Sequence, residues 1–171
     1  MTELLDYLDV QRAVLRAAVD SIPAAARDRS PGPGLWSTAA IVEHLAIVNE
    51  RIAQRMLKGI DQARADGLGP ETSTEPILPT LNLARVFDRS RPVTAPDVLK
   101  PTGLDSDGAW AALERSTLQV RAAVAAGDGL ALESVTQPHP LFGPLSLYEW
   151  IAFIGAHEAR HAAQIRETLG V

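Results

Sequence analysis

Four segments of this chain carry apolar residues at the three- and four-residue spacing of an amphipathic α-helix, and no segment shows a convincing β-strand alternation. The predicted helices run from about Thr2 to Ser21, from Ser37 or Thr38 to Leu57, from Asp107 to Gly127 and from Ser146 to Gly170. The apolar stripe of such a helix must be buried against another element. We therefore predict an all-α four-helix bundle, with the 171 residues forming a single domain.

Local signals mark the ends of these helices and the longest connection between them. Ser37 and Thr38 are both suitable N-caps for the second helix, and Ser146 with Glu149 forms the S-x-x-E pattern of a capping box. Gly127 is expected to end the third helix in a left-handed conformation. The proline-rich segment 67–105 forms a long loop between the second and third helices. A loop of this length in a compact domain is expected to be functional or to contain short helices.

The composition excludes several classes of protein. The chain has no cysteine, so it can contain no disulfide, thiolate zinc site or cysteine nucleophile. A net charge of -5 without any basic cluster argues against a nucleic-acid-binding surface. Acidic residues stand where a signal peptide would be basic, and no apolar run approaches the roughly 20 residues of a membrane span. We therefore expect a soluble cytoplasmic protein whose partner is a small molecule, not a nucleic acid or a membrane.

Three of the four histidines lie on predicted helical faces. On the last helix His161 falls inside the apolar stripe and His157 on its flank, one helical turn apart, while His44 lies at the edge of the stripe of the second helix. Each alone would usually be a core histidine bonded to a carbonyl, but three buried imidazoles without a shared partner would be costly. We predict that His44, His157 and His161 bind one divalent ion. His139, which lies between two prolines in a loop, is left outside this set.

Glu158 is the candidate catalytic residue, because it falls near the middle of the apolar stripe of the last helix, where an unpaired carboxylate would be expensive. It is interpreted as a general base, a partner of a metal ligand, or one end of an ion pair between helices. The arginines considered as its partners are Arg51, Arg55, Arg85 and Arg89. Among the tryptophans, Trp150 is expected to lie nearest the histidines.

The letters "HEARH" at 157–161 fit the H-E-x-x-H signature of zinc proteases, but the rest of the chain does not support that activity. In the extended signature a glycine and a third histidine would occupy positions that hold Gln164 and Glu167. A zinc protease also needs a strand edge to align an extended peptide, and none is predicted. We expect a metal site without proteolysis.

Two elements resemble the DinB-like superfamily of metal-dependent bacterial proteins: "WSTAAIVEHLA" at 36–46 and "HPLFGPLSLYEWIAFIGAHEARHAAQI" at 139–165. The resemblance covers nearly the whole chain and is strongest at W-S-x-x-x-x-x-x-H and H-x-x-x-H-x-x-Q-I. It implies a bundle with up-down-down-up connections and a divalent metal, zinc or nickel, held by His44, His157 and His161. It also implies a homodimer, and chemistry with an external low-molecular-weight thiol or hydrolysis.

Three functional hypotheses follow from these observations. The first is a metal-dependent enzyme that transfers a low-molecular-weight thiol to a small molecule or hydrolyses one. The alternative is a non-catalytic bundle that binds a metal or a small ligand. The third is a structural bundle whose histidines carry no metal.

Overall fold

The computed structural model describes residues 1–90 and 93–168, and long α-helices make up most of them. The helices are α1 (Thr2–Asp20), α2 (Thr38–Ala65), the single turn α3 (Ala84–Phe87), α4 (Ser106–Gly127) and α5 (Leu147–Glu167). A hairpin of two strands, β1 (Thr136–His139) and β2 (Gly143–Ser146), precedes α5. Helices α1, α2, α4 and α5 form the predicted four-helix bundle. The expected end of the last helix at Gly170 lies outside the described residues.

Helices α1 and α5 run parallel and approach each other closely. Tyr7 lies beside Gly155, and one turn further along both helices Arg12 forms an ion pair with Glu158. A Cβ atom on Gly155 would lie 2.6 Å from Cε1 of the Tyr7 ring, a separation that real Cβ atoms do not show. Glycine at this position therefore permits the close packing of the two helices.

Helices α2 and α4 also run parallel. Glu43, near the start of α2, accepts a hydrogen bond from Leu104 just before α4, while Ile60 and Gly127 lie together near the ends of the two helices. The long connection 67–105 makes this possible, because it returns the chain to the end of the bundle at which α2 begins. It contains α3 and two short 3₁₀ turns at Leu78–Thr80 and Asp97–Leu99, so the expectation of short helices in this loop is confirmed.

Helix α5 runs opposite to α2. Asn49 donates to Glu158 at 3.1 Å, and Arg55, further along α2, lies over the ring of Trp150, which is earlier in α5. The directions of the four long helices are thus up, down, down and up in chain order, as the resemblance implied. The helices enclose the apolar stripes that the sequence predicted. The buried members on α2 and α5 are Ile41, Leu45, Val48, Ile52, Leu147, Ile151, Ile154 and Ile165.

The caps of two helices agree with the sequence signals. Ser37, not Thr38, is the N-cap of α2, and its side chain accepts from the amide of Ala40 at 3.1 Å. Ser146 and Glu149 form the predicted capping box, in which each side chain accepts from the backbone amide of the other. This box holds the start of α5 directly against the end of β2.

Two local predictions were wrong. Gly127 is the last residue of α4 and has no left-handed conformation, which instead occurs at Gly129 with φ 80°. A Cβ on Gly127 would lie 2.8 Å from Cδ1 of Leu132, so a larger residue would push against this buried side chain. The hairpin was also missed, because its strands have four residues each and contain Pro138 and Pro144, which sequence reasoning treats as strand breakers.

A buried ion pair joins three helices at one level of the bundle. Glu158 is 1% exposed, and its carboxylate accepts from Nε and Nη2 of Arg12 at 2.9 and 2.6 Å and from Nδ2 of Asn49 at 3.1 Å. These contacts link α5 to α1 and to α2. A carboxylate removed from water needs such partners, since its desolvation is not otherwise compensated.

We predict that Arg12→Leu lowers the free energy of unfolding by about 3 kcal/mol, because it leaves the buried Glu158 carboxylate without its cation. The matched control is Arg121→Leu, which breaks the exposed Arg121–Asp9 pair between α1 and α4 and should change stability by less than about 1 kcal/mol. Urea unfolding monitored by circular dichroism measures both. Equal losses in the two variants would show that the Arg12–Glu158 pair has no special role.

Candidate metal centre

The structure brings His44, His157 and His161 together inside the bundle. One ring nitrogen from each lies within 4.8 Å of the others, and the ring centroids are 4.5 to 5.3 Å apart. His44 and His161 are buried, whereas His157 is partly exposed, although its Nδ1 atom is buried. The sequence-predicted set is therefore one spatial group of three imidazoles, compatible with a metal site.

Helix geometry explains why these three side chains meet. His157 and His161 are four residues apart on α5, so their rings lie on adjacent turns of one face. Helix α2 runs antiparallel to α5, and the hydrogen bond from Asn49 to Glu158 fixes which residues of the two helices lie side by side. His44 lies five residues before Asn49, and the opposite helix direction places it beside the later turns of α5, where His161 is found.

Hydrogen bonds orient two of the three rings. Nδ1 of His44 lies 2.7 Å from the carbonyl oxygen of Leu99, and Nδ1 of His161 lies 2.8 Å from Oε1 of Gln164. Both oxygens can only accept, so each Nδ1 carries the proton and each Nε2 presents a bare lone pair. Nε2 of His161 is 3.0 Å from Nε2 of His157.

This arrangement leaves too few protons for the nitrogens that face one another. A neutral His157 can supply at most one proton to the group, and its own Nδ1 is buried without a partner in the described residues. At least one lone pair is then unsatisfied, which is costly in the interior. A divalent cation would accept all three lone pairs, and three imidazole nitrogens are a ligand set typical of zinc sites with an open position. The residues present therefore fit a metal ion.

The surroundings keep all three imidazoles neutral. Burial lowers the pKa of His161 to about 3, and the nearby His44 adds to the effect. Burial, followed by the proximity of His161 and His44, holds the pKa of His157 well below its ordinary value. Burial also lowers the pKa of His44, although its hydrogen bond to Leu99 partly opposes the shift. The neutral ring is the form that donates a lone pair to a metal.

Glu43, which the sequence reasoning missed, anchors the segment that orients His44. Its carboxylate accepts from the hydroxyl and amide of Thr102 at 2.6 and 2.8 Å and from the amides of Gly103 and Leu104 at 3.0 Å. Burial raises the pKa of Glu43, but these hydrogen bonds outweigh it and the net pKa is lowered. The sequence does contain one indication of this role, because Glu43 is a charged residue next to His44 in the apolar run "IVEHLA".

Aromatic rings enclose the cluster on two sides. Trp36 contacts His44 with ring centroids 5.0 Å apart, and Phe153 stacks on His157 at 5.2 Å. Trp150, expected to be the nearest tryptophan, contacts Phe153 and so lies one ring further from the histidines. Trp36 is therefore the tryptophan beside the candidate site.

Glu158 and His139 lie outside the histidine cluster. The partners of Glu158 are Arg12 and Asn49, and none of the four arginines proposed from the sequence binds it. Within residues 1–90 and 93–168, Glu158 has no hydrogen bond to the three histidines, so its catalytic role stays a prediction. His139 is the last residue of β1 and stacks on Phe142 at 4.5 Å.

Comparison with known proteins places the chain in a family. The sequence profile of the DinB superfamily matches residues 7–165. The chain belongs to the DinB superfamily. The uncharacterized protein YuaE of Bacillus subtilis (strain 168) is 32% identical over 142 residues, which are 82% of this chain and 81% of YuaE. The crystal structure of TT2238, described as a four-helix bundle protein, matches with a TM-score of 0.63 and 20% identity over 97% of this chain and 98% of TT2238.

Membership in this superfamily agrees with the four-helix-bundle fold, but it does not show a reaction. The likeness to TT2238 concerns the bundle alone. In the part of the chain that the structure describes, no helix is both long and apolar enough to cross a membrane.

We predict that replacing His44, His157 or His161 by alanine sharply lowers the amount of tightly bound zinc or nickel, because each removes one of three nitrogen ligands. Elemental analysis of protein purified without a histidine tag measures this. His139→Asn is the control and should leave the metal content unchanged. A full equivalent of tightly bound metal in His44→Ala would show that the assignment of three histidines is wrong.

We also predict that Glu43→Gln weakens metal binding about tenfold, the lower end of the effect of residues that orient a ligand. Glutamine keeps one acceptor oxygen, but its NH2 group cannot accept hydrogen bonds, so the variant releases part of the segment whose Leu99 carbonyl orients His44. Competition with a chromophoric chelator gives the affinity. Glu50→Gln removes a charge from the exposed face of the same helix and serves as the control. Equal affinity in both variants would exclude this role for Glu43.

Proposed function

We propose that this chain is a metal-dependent enzyme that acts on a small-molecule substrate. It either transfers a low-molecular-weight thiol to this substrate or hydrolyses it. The observation that carries the proposal is the group of three neutral imidazoles, with one nitrogen of each within 4.8 Å of the others. Membership in the DinB superfamily supports it.

His44, His157 and His161 would hold the ion, for which zinc and nickel both suit imidazole ligands. Three neutral ligands leave a divalent ion its full charge, which lowers the pKa of a bound water or thiol toward or below neutrality. The carbonyl of Leu99 and the amide of Gln164 orient two of the ligand rings.

The residues around the cluster favour a small ligand that reaches the site beside His157. His157 is the partly exposed member of the cluster, while Trp36 and Phe153 cover His44 and one face of His157. These rings shield the cluster from water, so electrostatic interactions there are stronger than at an exposed surface. Glu158 acts in this proposal by holding α5 against α1 and α2 at the level of the histidines.

The thiol in such a reaction must come from outside the protein, because the chain has no cysteine. Zinc and nickel accept sulfur ligands well, so a thiol is a suitable ligand for an open coordination position. The hydrolytic version uses the same residues with water in place of the thiol.

We predict that the cobalt-substituted protein develops a sulfur-to-cobalt charge-transfer band when small thiols such as cysteine or glutathione are added. The band should be absent from His157→Ala and His161→Ala, which lack one of the nitrogens that hold the ion. Absorption spectroscopy during thiol titration measures it, and the cobalt form without thiol is the reference.

Other results of this titration separate the alternatives. Water exchange without a response to any thiol would contradict thiol transfer and favour the hydrolase. Thiol binding without turnover of any thiol-acceptor or hydrolysable substrate would favour the non-catalytic binder. An ion with no exchangeable position would contradict the enzyme and leave a structural role.

A further inference from the structure

The β1–β2 hairpin gathers three nitrogen donors that the proposed metal chemistry does not use: the guanidinium groups of Arg55 and Arg85 and the imidazole of His139. We call these three residues the hairpin cluster. It lies next to the metal centre, because the ring of Phe153 contacts both His139, at 4.9 Å, and His157, at 5.2 Å.

The hydrogen bonds of His139 fix which ring nitrogen is a donor. Nδ1 accepts from the amides of Leu141 at 3.1 Å and Phe142 at 3.3 Å, so the proton of the neutral ring is on Nε2. Nε2 has no partner in the described part of the chain and is not among its buried unpaired atoms. His139 therefore presents a free N–H group at the surface of the hairpin.

The two arginines are held in place by the hairpin itself. Arg55 donates to the carbonyl of Pro138 and lies 5.0 Å over the ring of Trp150. Arg85 donates to the carbonyl of Leu141 at 2.9 Å and lies 4.9 Å over the ring of Phe142. Each guanidinium has five N–H donors and uses one here, so most of its donors stay available in a group that is already oriented.

Neither arginine has a carboxylate partner among the ion pairs of residues 1–90 and 93–168, although the chain has 21 acidic and 16 basic residues. Two cations beside one histidine repel further positive charge. Burial lowers the pKa of His139 to about 4, and the nearby charges of Arg55 and Arg85 add to the effect. A local excess of positive charge in an acidic protein is relieved when an anion binds.

We propose that Arg55, Arg85 and the Nε2–H group of His139 bind the oxyanion of a small molecule, a carboxylate or a phosphate group. Guanidinium groups match both anions because their N–H donors lie in one plane and form charge-assisted hydrogen bonds. The neutral His139 adds a directed donor without requiring protonation. None of the three donors is a proposed metal ligand, and the anion site does not depend on the proposed reaction.

The experiment titrates the 171-residue chain with sodium phosphate and, separately, with sodium acetate, at constant ionic strength kept with sodium chloride. NMR resonances of the His139 ring and of the Trp150 indole N–H, which donates to Gln137, report on the hairpin. Saturable shifts of both resonances are expected with at least one anion. The anion that saturates identifies the phosphate or the carboxylate class.

Variants then test the three donors. Arg55→Gln and Arg85→Gln should each weaken binding about tenfold, the usual effect of losing a hydrogen bond to a charged group. His139→Asn should also weaken it, because asparagine can keep the acceptor for the turn amides but lacks the Nε2–H donor. Arg115→Gln, at an exposed arginine of α4, removes the same charge and should leave the affinity unchanged.

Two outcomes would overturn the proposal. One is a shift that stays linear with both anions. The other is an affinity that is the same in Arg55→Gln and Arg85→Gln as in Arg115→Gln while the Trp150 indole resonance shows an intact hairpin.

Discussion

The carboxylate of Glu158 in the interior of the bundle is the constraint on which the arrangement of three helices depends. It needs the guanidinium of Arg12 from α1 and the amide of Asn49 from α2, so both helices must meet α5 at one level. His157 and His161 lie on either side of Glu158 along α5, and His44 lies near Asn49 along α2. The alignment that satisfies the carboxylate is therefore the alignment that brings the imidazoles together.

Neighbouring residues of α5 serve two separate environments. His157 and Glu158 are consecutive, so their side chains leave the helix about 100° apart. The His157 side chain faces the other two histidines, whereas the Glu158 side chain faces Arg12. Because the carboxylate is bonded elsewhere, the cluster consists of neutral nitrogen donors. A carboxylate ligand would reduce the charge of a bound ion, and this separation avoids that effect.

Local patterns predicted most of the fold and the three histidines, whereas contacts between distant parts of the chain had to come from the structure. Periodicity is a property of one helix, and His157 and His161 are related by a single turn, so both could be read directly. Arg12 is 146 residues from Glu158, and no local pattern connects them. The strands of the hairpin were missed because they are short and contain proline. The role of Glu43 was missed because its main donors are backbone amides, which every residue type except proline supplies.

The orientation of His44 depends on a main-chain oxygen, that of Leu99, and this has a consequence for how the protein can evolve. A side-chain acceptor is lost when the residue that carries it is replaced, whereas a backbone carbonyl is retained under every substitution that preserves the path of the chain. Glu43 holds that path through three successive residues, of which Gly103, at φ 108°, has a conformation that other residues rarely adopt. The 67–105 segment can thus accumulate changes, and with them new surfaces around the site, while the ligand keeps its direction.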